Sequence, residues 1–207
     1  MPDADPADGR PVAAQIQPET RAMIDKLVAF DTTSHLSNLE LIGFVEDYLK
    51  DLGIASELTY NDDKRKANLY ATLGPDDRPG IALSGHTDVV PIDDQDWSSD
   101  PWQVIEKDGR LYGRGTCDMK SFVAIALAKV PQFLSRELAT PIHLCFSYDE
   151  EVGCLGVRSL IDFLASQEIR PAACIVGEPT ELKIATGHKG KIAARAVCRG
   201  REVHSEI

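Results

Sequence analysis

Residues 81–88 read IALSGHTD, a short apolar run followed by a histidine and an aspartate. The apolar run 81–83 predicts a short buried strand that stops at Gly85. Because residues two apart on an extended chain point to the same side, His86 and Asp88 can face one site. The carboxylate can then fix the tautomer and orientation of the imidazole, as it does beside metal-binding histidines. A single His-x-Asp pair is weak support for such a site, so the prediction depends on what the other segments contain.

Composition limits the classes of protein to which this chain can belong. Its 207 residues, 43% of them hydrophobic, suffice for one sizeable core and part of a second domain. The 33 acidic residues outnumber the 22 Lys and Arg, and the net charge of -11 argues against a nucleic-acid partner. No apolar run approaches the ~20 residues of a membrane helix, which argues against a membrane partner.

The first residues and the cysteines point to a compartment. Residues 1–17 contain acids, Pro and Gly but no apolar segment of a signal peptide, so we expect a flexible tail there. The five cysteines are an odd number without a C-x-x-C pair, which favours reduced thiols. Together these features predict a cytoplasmic protein.

Strand-like and helix-like segments alternate along the chain. Helical patterns begin near residues 18, 38 and 157 and cover 119–134, where Pro131 should kink or interrupt the helix. Asn38 is a good N-cap for the second of these helices. Strand patterns cover 54–60, 68–73, 81–84, 142–147 and 172–176, and residues 104–112 predict a hairpin. This alternation predicts an α/β fold with a mostly parallel sheet flanked by helices.

Three of these strands are followed by the same kind of side chain. Residues 81–84 lead into GHTD with His86, 142–147 into YDEE with Glu150 and Glu151, and 172–176 into GEPT with Glu178. In open α/β sheets, sites form at the carboxyl ends of the strands. If the three strands are parallel, the imidazole and the three glutamates meet at one edge. Asp118, in the stretch GRGTCDMK directly before a helix, is a further contributor.

Each of these residues also has an ordinary structural interpretation. Asp118 can be a helix N-cap, Glu150 and Glu151 can be solvated loop acids, and Glu178 can belong to a turn. Four acids so close together repel one another unless cations neutralise them. A pair of divalent ions does this in two-metal hydrolytic sites, and one imidazole with several carboxylates suits zinc, cobalt or manganese. Cys117 is expected to pack rather than to coordinate.

In order and spacing, the stretches 85–88, 113–120, 149–151 and 177–180 resemble the motifs of the M20 metallopeptidases. The resemblance implies a catalytic domain of the zinc-exopeptidase type over residues 18–187, with two divalent ions, zinc first and cobalt as the alternative. His86, Asp118 and Glu178 would bind one ion, and Asp118 would bridge to a second ion held by Glu151. Asp88 would orient His86, and Glu150 would be the general base. The family often has a cis peptide bond after the bridging aspartate, here before Met119.

The same resemblance implies a reaction and partners. The expected activity is hydrolysis of the amide bond of a small acylated amino acid, with Glu150 moving a proton from the attacking water to the leaving amine. Residues 188–207 would begin a smaller α+β lid and dimerisation domain with a strand over 191–199, so a homodimer is expected. Within this segment, His204 would reach the substrate in the partner's active site.

One part that the resemblance implies has no match in this sequence. Family members have a later histidine that binds the second ion, and no residue up to Ile207 can be assigned that role. We therefore expect little turnover from these 207 residues alone. Two interpretations stay open, a catalytic hydrolase and a non-catalytic piece that keeps the fold. A binding module that merely chelates cations is a third, and the four motifs together disfavour it.

Overall fold

A computed structural model describes residues 16–187, 189–190, 192 and 194–200 of the chain. In this part the helices are α1 (Pro18–Val28), α2 (Leu39–Asp51), α3 (Lys120–Ala128), α4 (Val130–Leu134) and α5 (Val157–Ser166). The strands are β1 (Ser56–Tyr60), β2 (Ala67–Leu73), β3 (Ile81–His86), β4 (Ile105–Lys107), β5 (Arg110–Tyr112), β6 (Ile142–Ser147) and β7 (Ala173–Val176). Each of these helices is too short or too polar to cross a membrane.

Five strands form one mixed sheet in the order β1-β2-β6-β3-β7. β3 lies between β6 and β7 and is parallel to both, which is the arrangement that the predicted site requires. β2 is antiparallel to β6 and to β1. Residues 61–66 between β1 and β2 are too few for the crossover that parallel strands need, so this edge forms as a hairpin. The predicted α/β fold, a sheet flanked by helices, is confirmed, as is the hairpin of β4 and β5. The sheet is mixed where a mostly parallel one was predicted, because two of its four strand pairs are antiparallel.

The main core lies between the sheet and helices α1, α2 and α3. Alternate residues of the central strands enter this core, and they include the fully buried Leu69, Leu144 and Phe146. The intervening residues Tyr70 and Cys145 pack on the opposite face in a smaller cluster with side chains of α5. This alternation follows from the two-residue period of a strand, and it covers both faces of the sheet with apolar contacts.

The segment 119–134 forms two helices rather than one. α3 ends at Ala128, α4 begins at Val130, and Pro131 lies in the first turn of α4. A proline has no amide hydrogen to donate, and the first turn of a helix does not need that donor. The predicted interruption at Pro131 is therefore confirmed.

Asn38 directly precedes α2, but its side chain does not cap the helix. Its Nδ2 donates to the Ala67 carbonyl oxygen and to Thr87 Oγ1, both at 2.9 Å, and its Oδ1 accepts the Ala67 amide at 3.0 Å. The predicted cap is absent because these tertiary contacts use the same side-chain atoms. Asn38 instead ties the start of α2 to β2 and to the end of β3.

Some predictions fall at the ends of the chain. The strand predicted over 191–199 is absent from the residues of that stretch that the structure describes. A strand needs a hydrogen-bonded neighbour, and within the described part of the chain no strand lies beside them. Residues 1–15 and His204 lie outside the described residues. The flexible tail 1–17, the role of His204 and the boundary between 18–187 and 188–207 therefore stay predictions.

Candidate metal centre

The carboxyl ends of β3, β6 and β7 lie at the same edge of the sheet. The register pairs His86 with Ser147 at the ends of β3 and β6, and Ser84 with Val176 in β3 and β7. Residues that follow the three strands therefore emerge side by side. This arrangement brings the predicted glutamates after β6 and β7 to the histidine at the end of β3.

His86 lies at the centre of the predicted donors. Its Nε2 atom is 3.0 Å from Oδ1 of Asp118 and 3.8 Å from both Oε2 of Glu150 and Oε1 of Glu178. Two groups of three have ligand atoms within 4.8 Å of one another, namely His86 with Asp118 and Glu151, and His86 with Glu150 and Glu178. The structure thus brings together all five predicted ligand and base residues. Both Glu150 and Glu151 lie within ligand range, so distance alone does not separate a base from a ligand.

Asp118 reaches this cluster from the turn that precedes α3. The Lys120 amide donates to the Gly115 carbonyl at 2.8 Å, which closes the turn. Gly115 has a φ of +85°, and a Cβ there would lie 2.9 Å from the side chain of Val89, so the turn requires glycine. The peptide bond between Asp118 and Met119 is cis, as the resemblance implies.

The ring of His86, which is 1% exposed, is held on its other side by Asp88. Nδ1 donates to the backbone carbonyl oxygen of Asp88 at 2.8 Å and lies 3.5 Å from its Oδ1. A donor at Nδ1 leaves Nε2 as the nitrogen that faces the carboxylates of the cluster. The prediction assigns this orienting contact to the carboxylate, whereas the shorter contact is made by the backbone oxygen.

The carboxylate of Asp88 holds the loop that carries the two glutamates. Its Oδ1 accepts the Glu150 amide at 3.0 Å, and its Oδ2 accepts the Glu151 amide at 3.3 Å and the Ser34 hydroxyl at 2.7 Å. Burial raises the pKa of Asp88, but hydrogen bonds from His86, Ser34 and Glu150 outweigh it and hold the pKa below its usual value. Asp88 is therefore a buried, ionised residue whose hydrogen bonds fix the position of the glutamate loop.

The electrostatics of the cluster favour the binding of a cation. Burial lowers the pKa of His86, but Asp88 and Asp118 outweigh this effect and raise it to about 9. Burial also raises the pKa of Glu151 and of Glu178, and the charge of Asp118 raises both further. Ionisation of a carboxyl group beside like charges is unfavourable, and a neighbouring cation stabilises the ionised form. One imidazole with several carboxylates fits zinc, cobalt or manganese.

Lys66 and Ser34 support this cluster through contacts that the sequence did not predict, and Asp149 has a role that its motif did not predict. Nζ of Lys66 lies 2.5 Å from Oδ1 of Asp149 and 2.5 Å from the carbonyl oxygen of Ser34. No local pattern indicates these contacts, because they join positions 83 and 32 residues apart. The polar turn 61–66 therefore contains a partly buried contact that local sequence does not reveal.

Comparison with known families identifies the chain's relatives. The model of peptidase family M20/M25/M40 matches residues 82–200, a range that includes all the residues of the cluster. The chain belongs to this family. The M20 domain of this chain therefore carries the imidazole and the carboxylates that converge at the ends of β3, β6 and β7.

Two curated relatives of this M20 chain carry the same name. Acetylornithine deacetylase of Pasteurella multocida (strain Pm70) is 37% identical over 195 residues, which are 91% of this chain and 50% of that protein. Acetylornithine deacetylase of Proteus mirabilis (strain HI4320) is 38% identical over 178 residues, which are 86% and 45%. The chain thus spans about half the length of the curated relatives that it matches.

A solved structure shows the same fold. An M20-family metallo-carboxypeptidase from Sulfolobus solfataricus superposes with a TM-score of 0.66 at 20% identity, over 78% of this chain and 37% of that one. The mixed sheet and its flanking helices are therefore those of an M20 domain. The cluster around His86 is its candidate metal site. The individual roles assigned to the site residues stay predictions.

Proposed function

We propose that this protein is a metal-dependent amide hydrolase that converts N-acetyl-L-ornithine to ornithine and acetate in arginine biosynthesis. The convergence of four carboxylates on the Nε2 side of His86 supports the class of reaction. The two acetylornithine deacetylases that align over most of this chain support the choice of substrate. The net charge of -11 suits a substrate whose single free amino group is cationic.

The donor cluster would hold two divalent ions, zinc first and cobalt as the alternative. His86, Asp118 and Glu178 would bind one ion, and Asp118 would bridge to a second ion held by Glu151. When bound, such ions polarise the amide carbonyl and lower the pKa of the attacking water. The pKa values of Glu151 and Glu178 are raised first by burial and further by the charge of Asp118, and both effects make a neighbouring cation favourable, which supports this assignment.

Glu150 would move the proton. Its side chain is partly exposed, and its Oε2 lies 3.8 Å from His86 Nε2, so it is accessible from solvent beside the donor cluster. The carboxylate accepts a proton from the attacking water and then delivers it to the nitrogen of the leaving amine. Asp88 serves this step by holding the Glu150 amide and the His86 ring.

The proposal extends to partners and compartment. The partner is a small acylated amino acid, and neither nucleic acid nor membrane is needed for the reaction. We place the protein in the cytoplasm, because the cysteines Cys117, Cys145, Cys154, Cys174 and Cys198 are all unpaired. A homodimer with His204 at the partner's site completes the proposal.

The test is the release of acetate from acetylornithine by the zinc-loaded intact enzyme, since little turnover is expected from these 207 residues alone. Glu150→Gln keeps the size of the side chain but removes the base, and we expect it to lower kcat at least about 100-fold while zinc stays bound. Glu168→Gln, at an exposed position of the same charge, should leave kcat unchanged. Unchanged turnover in Glu150→Gln would overturn the assignment of the base.

A substrate panel separates the remaining alternatives. Related activities in the family would remove a succinyl group from succinyl-diaminopimelate or cleave simple acetylamino acids and dipeptides. Because the chain spans about half of its curated relatives, a polypeptide that binds metal without turnover is the second candidate. Preference for acetylornithine supports the proposal, and metal binding without hydrolysis of any member of the panel supports the second candidate.

A further inference from the structure

Lys66 lies beneath the loop that carries Glu150 and Glu151. Its ammonium group contacts Oδ1 of Asp149 and the carbonyl oxygen of Ser34, both at 2.5 Å. The side chains of Lys66 and Asp149 are each only 14% exposed. A charge-assisted hydrogen bond shielded from water is stronger than a surface ion pair, so these contacts restrain both partners.

The contacts of Lys66 belong to a closed network of hydrogen bonds. The Ser34 hydroxyl donates to Oδ2 of Asp88 at 2.7 Å, and the carboxylate of Asp88 accepts the amides of Glu150 and Glu151. Those two residues directly follow Asp149, which returns the path to Lys66. These hydrogen bonds therefore restrain the loop at two points, which are the side chain of Asp149 and the backbone amides of Glu150 and Glu151.

The loop needs such restraint because its backbone is not regular. Asp149 has a φ of +56°, in the left-handed region that residues with a Cβ rarely adopt. Cys154, five residues later, has a φ of +54°. Between them the Glu150 carbonyl accepts the amides of both Gly153 and Cys154 at 2.9 Å. A conformation of this kind persists where surrounding contacts over-determine it.

We propose that Lys66 is a positioning residue for the site: it holds Asp149 so that Glu150 and Glu151 both face His86. This inference rests on the metal-dependent function proposed above. The competing interpretation is an ion pair that contributes only to folding. The two differ in what happens to cation binding when the ammonium group is removed.

The direction in which cation affinity changes when the Lys66 charge is removed separates a positioning role from a purely electrostatic one. Removing a positive charge near a cation site favours cation binding if charge alone matters. Positioning has the opposite effect, because a displaced Glu151 is a poorer ligand, and supporting partners of ligands typically contribute about 10–100-fold in metal affinity. We therefore expect Lys66→Met to lower the affinity of the protein for Co²⁺ by about 10–100-fold.

The experiment is a titration with Co²⁺ alone, followed by its visible absorption, which reports the ligands of the bound ion. Lys64→Met is the matched control, because it removes the same charge from an exposed residue of the same turn and should not lower the affinity. Lys66→Arg keeps the charge and should recover a large part of the affinity and the spectrum of the unsubstituted protein. Thermal unfolding of each variant is measured in parallel.

A double-mutant cycle that combines changes at Lys66 and Asp149 tests the contact between them. Asp149→Asn tolerates the left-handed backbone and should lower Co²⁺ affinity as Lys66→Met does. The combination of both changes should cost no more than either change alone, because each already breaks the same contact. If Lys66→Met does not fold, Lys66→Gln also removes the charge and tests the same direction of change in Co²⁺ affinity.

The outcomes distinguish this inference from the proposed function. If Lys66→Met binds Co²⁺ as tightly as the unsubstituted protein and only unfolds at a lower temperature, the inference is overturned and the metal centre stands. If Asp149→Asn and Lys66→Met lower the affinity additively, the inference is likewise overturned. If the unsubstituted protein binds no Co²⁺, the metal centre itself is wrong and the inference falls with it.

Discussion

The Nε2 atom of His86 lies 3.0 Å from Oδ1 of Asp118, which is 32 residues further along the chain. This contact joins the end of β3 to the turn before α3. Burial lowers the pKa of His86, but Asp88 raises it more strongly and the charge of Asp118 adds to that rise, so the protonated imidazole is stabilised. A divalent ion would compete with that proton for the same two atoms.

We expect cation binding to release protons from this pair. Because the pKa of His86 is raised to about 9, its imidazole carries a proton at pH 7, whereas a coordinating imidazole is neutral. The apparent affinity for Zn²⁺ should therefore rise by up to about tenfold per pH unit between pH 6 and 9. Calorimetric titration in buffers of different ionisation enthalpy measures the protons released.

Two variants serve as controls for proton release. His86→Gln removes the titrating ring and should abolish this part of the release together with most of the affinity. His35→Gln changes an exposed histidine and should leave both unchanged. An affinity for Zn²⁺ that does not depend on pH in the unsubstituted protein would contradict the prediction.

Gly177 directly follows β7 and connects it to Glu178, whose side chain lies in the cluster. A Cβ at position 177 would lie 2.0 Å from the ring of Phe122 in α3. Gly177→Ala should therefore lower the free energy of unfolding by about 1–3 kcal/mol and displace Glu178 from the cluster. Urea denaturation measures the first effect, and titration with Zn²⁺ measures the loss of affinity.

Gly187→Ala is the matched control for this substitution. A Cβ at position 187 meets nothing within 4 Å, so neither stability nor Zn²⁺ affinity should change. In a Phe122→Ala background the ring is gone, and the alanine at 177 should cost less than it does alone. Equal effects of Gly177→Ala and Gly187→Ala would show that the close approach to Phe122 is unimportant.

The buried side chain of Asn38 should be important for stability. Asn38→Leu has a similar size but leaves the amide and carbonyl of Ala67 and the hydroxyl of Thr87 without their present partner. We expect the free energy of unfolding to fall by about 1–3 kcal/mol, which is the usual cost of a buried polar group left unsatisfied. Urea denaturation measures it, and a loss below about 0.5 kcal/mol would contradict the prediction.

An exposed amide provides the comparison for Asn38. Gln132→Leu in α4 should change the free energy of unfolding by less than about 0.5 kcal/mol, because its side chain faces solvent. If both substitutions destabilise equally, the contacts of Asn38 with Ala67 and Thr87 contribute nothing beyond the general effect of an added apolar side chain.

Much of the fold was predictable because strand and helix periods are local. The apolar runs of β3, β6 and β7 and the polar residues directly after them could be recognised one segment at a time. The general tendency of α/β sheets to form sites at strand ends then placed His86 near Glu150, Glu151 and Glu178. The hairpin β1–β2 extended the sheet with antiparallel strands, which a short connection between two strand patterns could also have indicated.

Other features were not predictable from local pattern. Asn38 has the residue type of a helix cap and the position of one, yet its side chain bonds to β2 and to Thr87. Asp88 orients His86 mainly through its backbone, because its carboxylate is engaged by Ser34 and by the glutamate loop. Asn38 and Asp88 can each make several hydrogen bonds, and the packing of the helices and strands determines which partners lie close enough.

By itself, the sequence determined the order of helices and strands and the chemistry at the strand ends, because backbone period and side-chain type are properties of neighbouring residues. Only the tertiary structure decided which side chains support the site. The contact of Lys66 with Asp149 spans 83 residues, and that of Ser34 with Asp88 spans 54. Contacts over such distances exist only once packing of the elements has fixed where each segment lies, and no local pattern records that outcome.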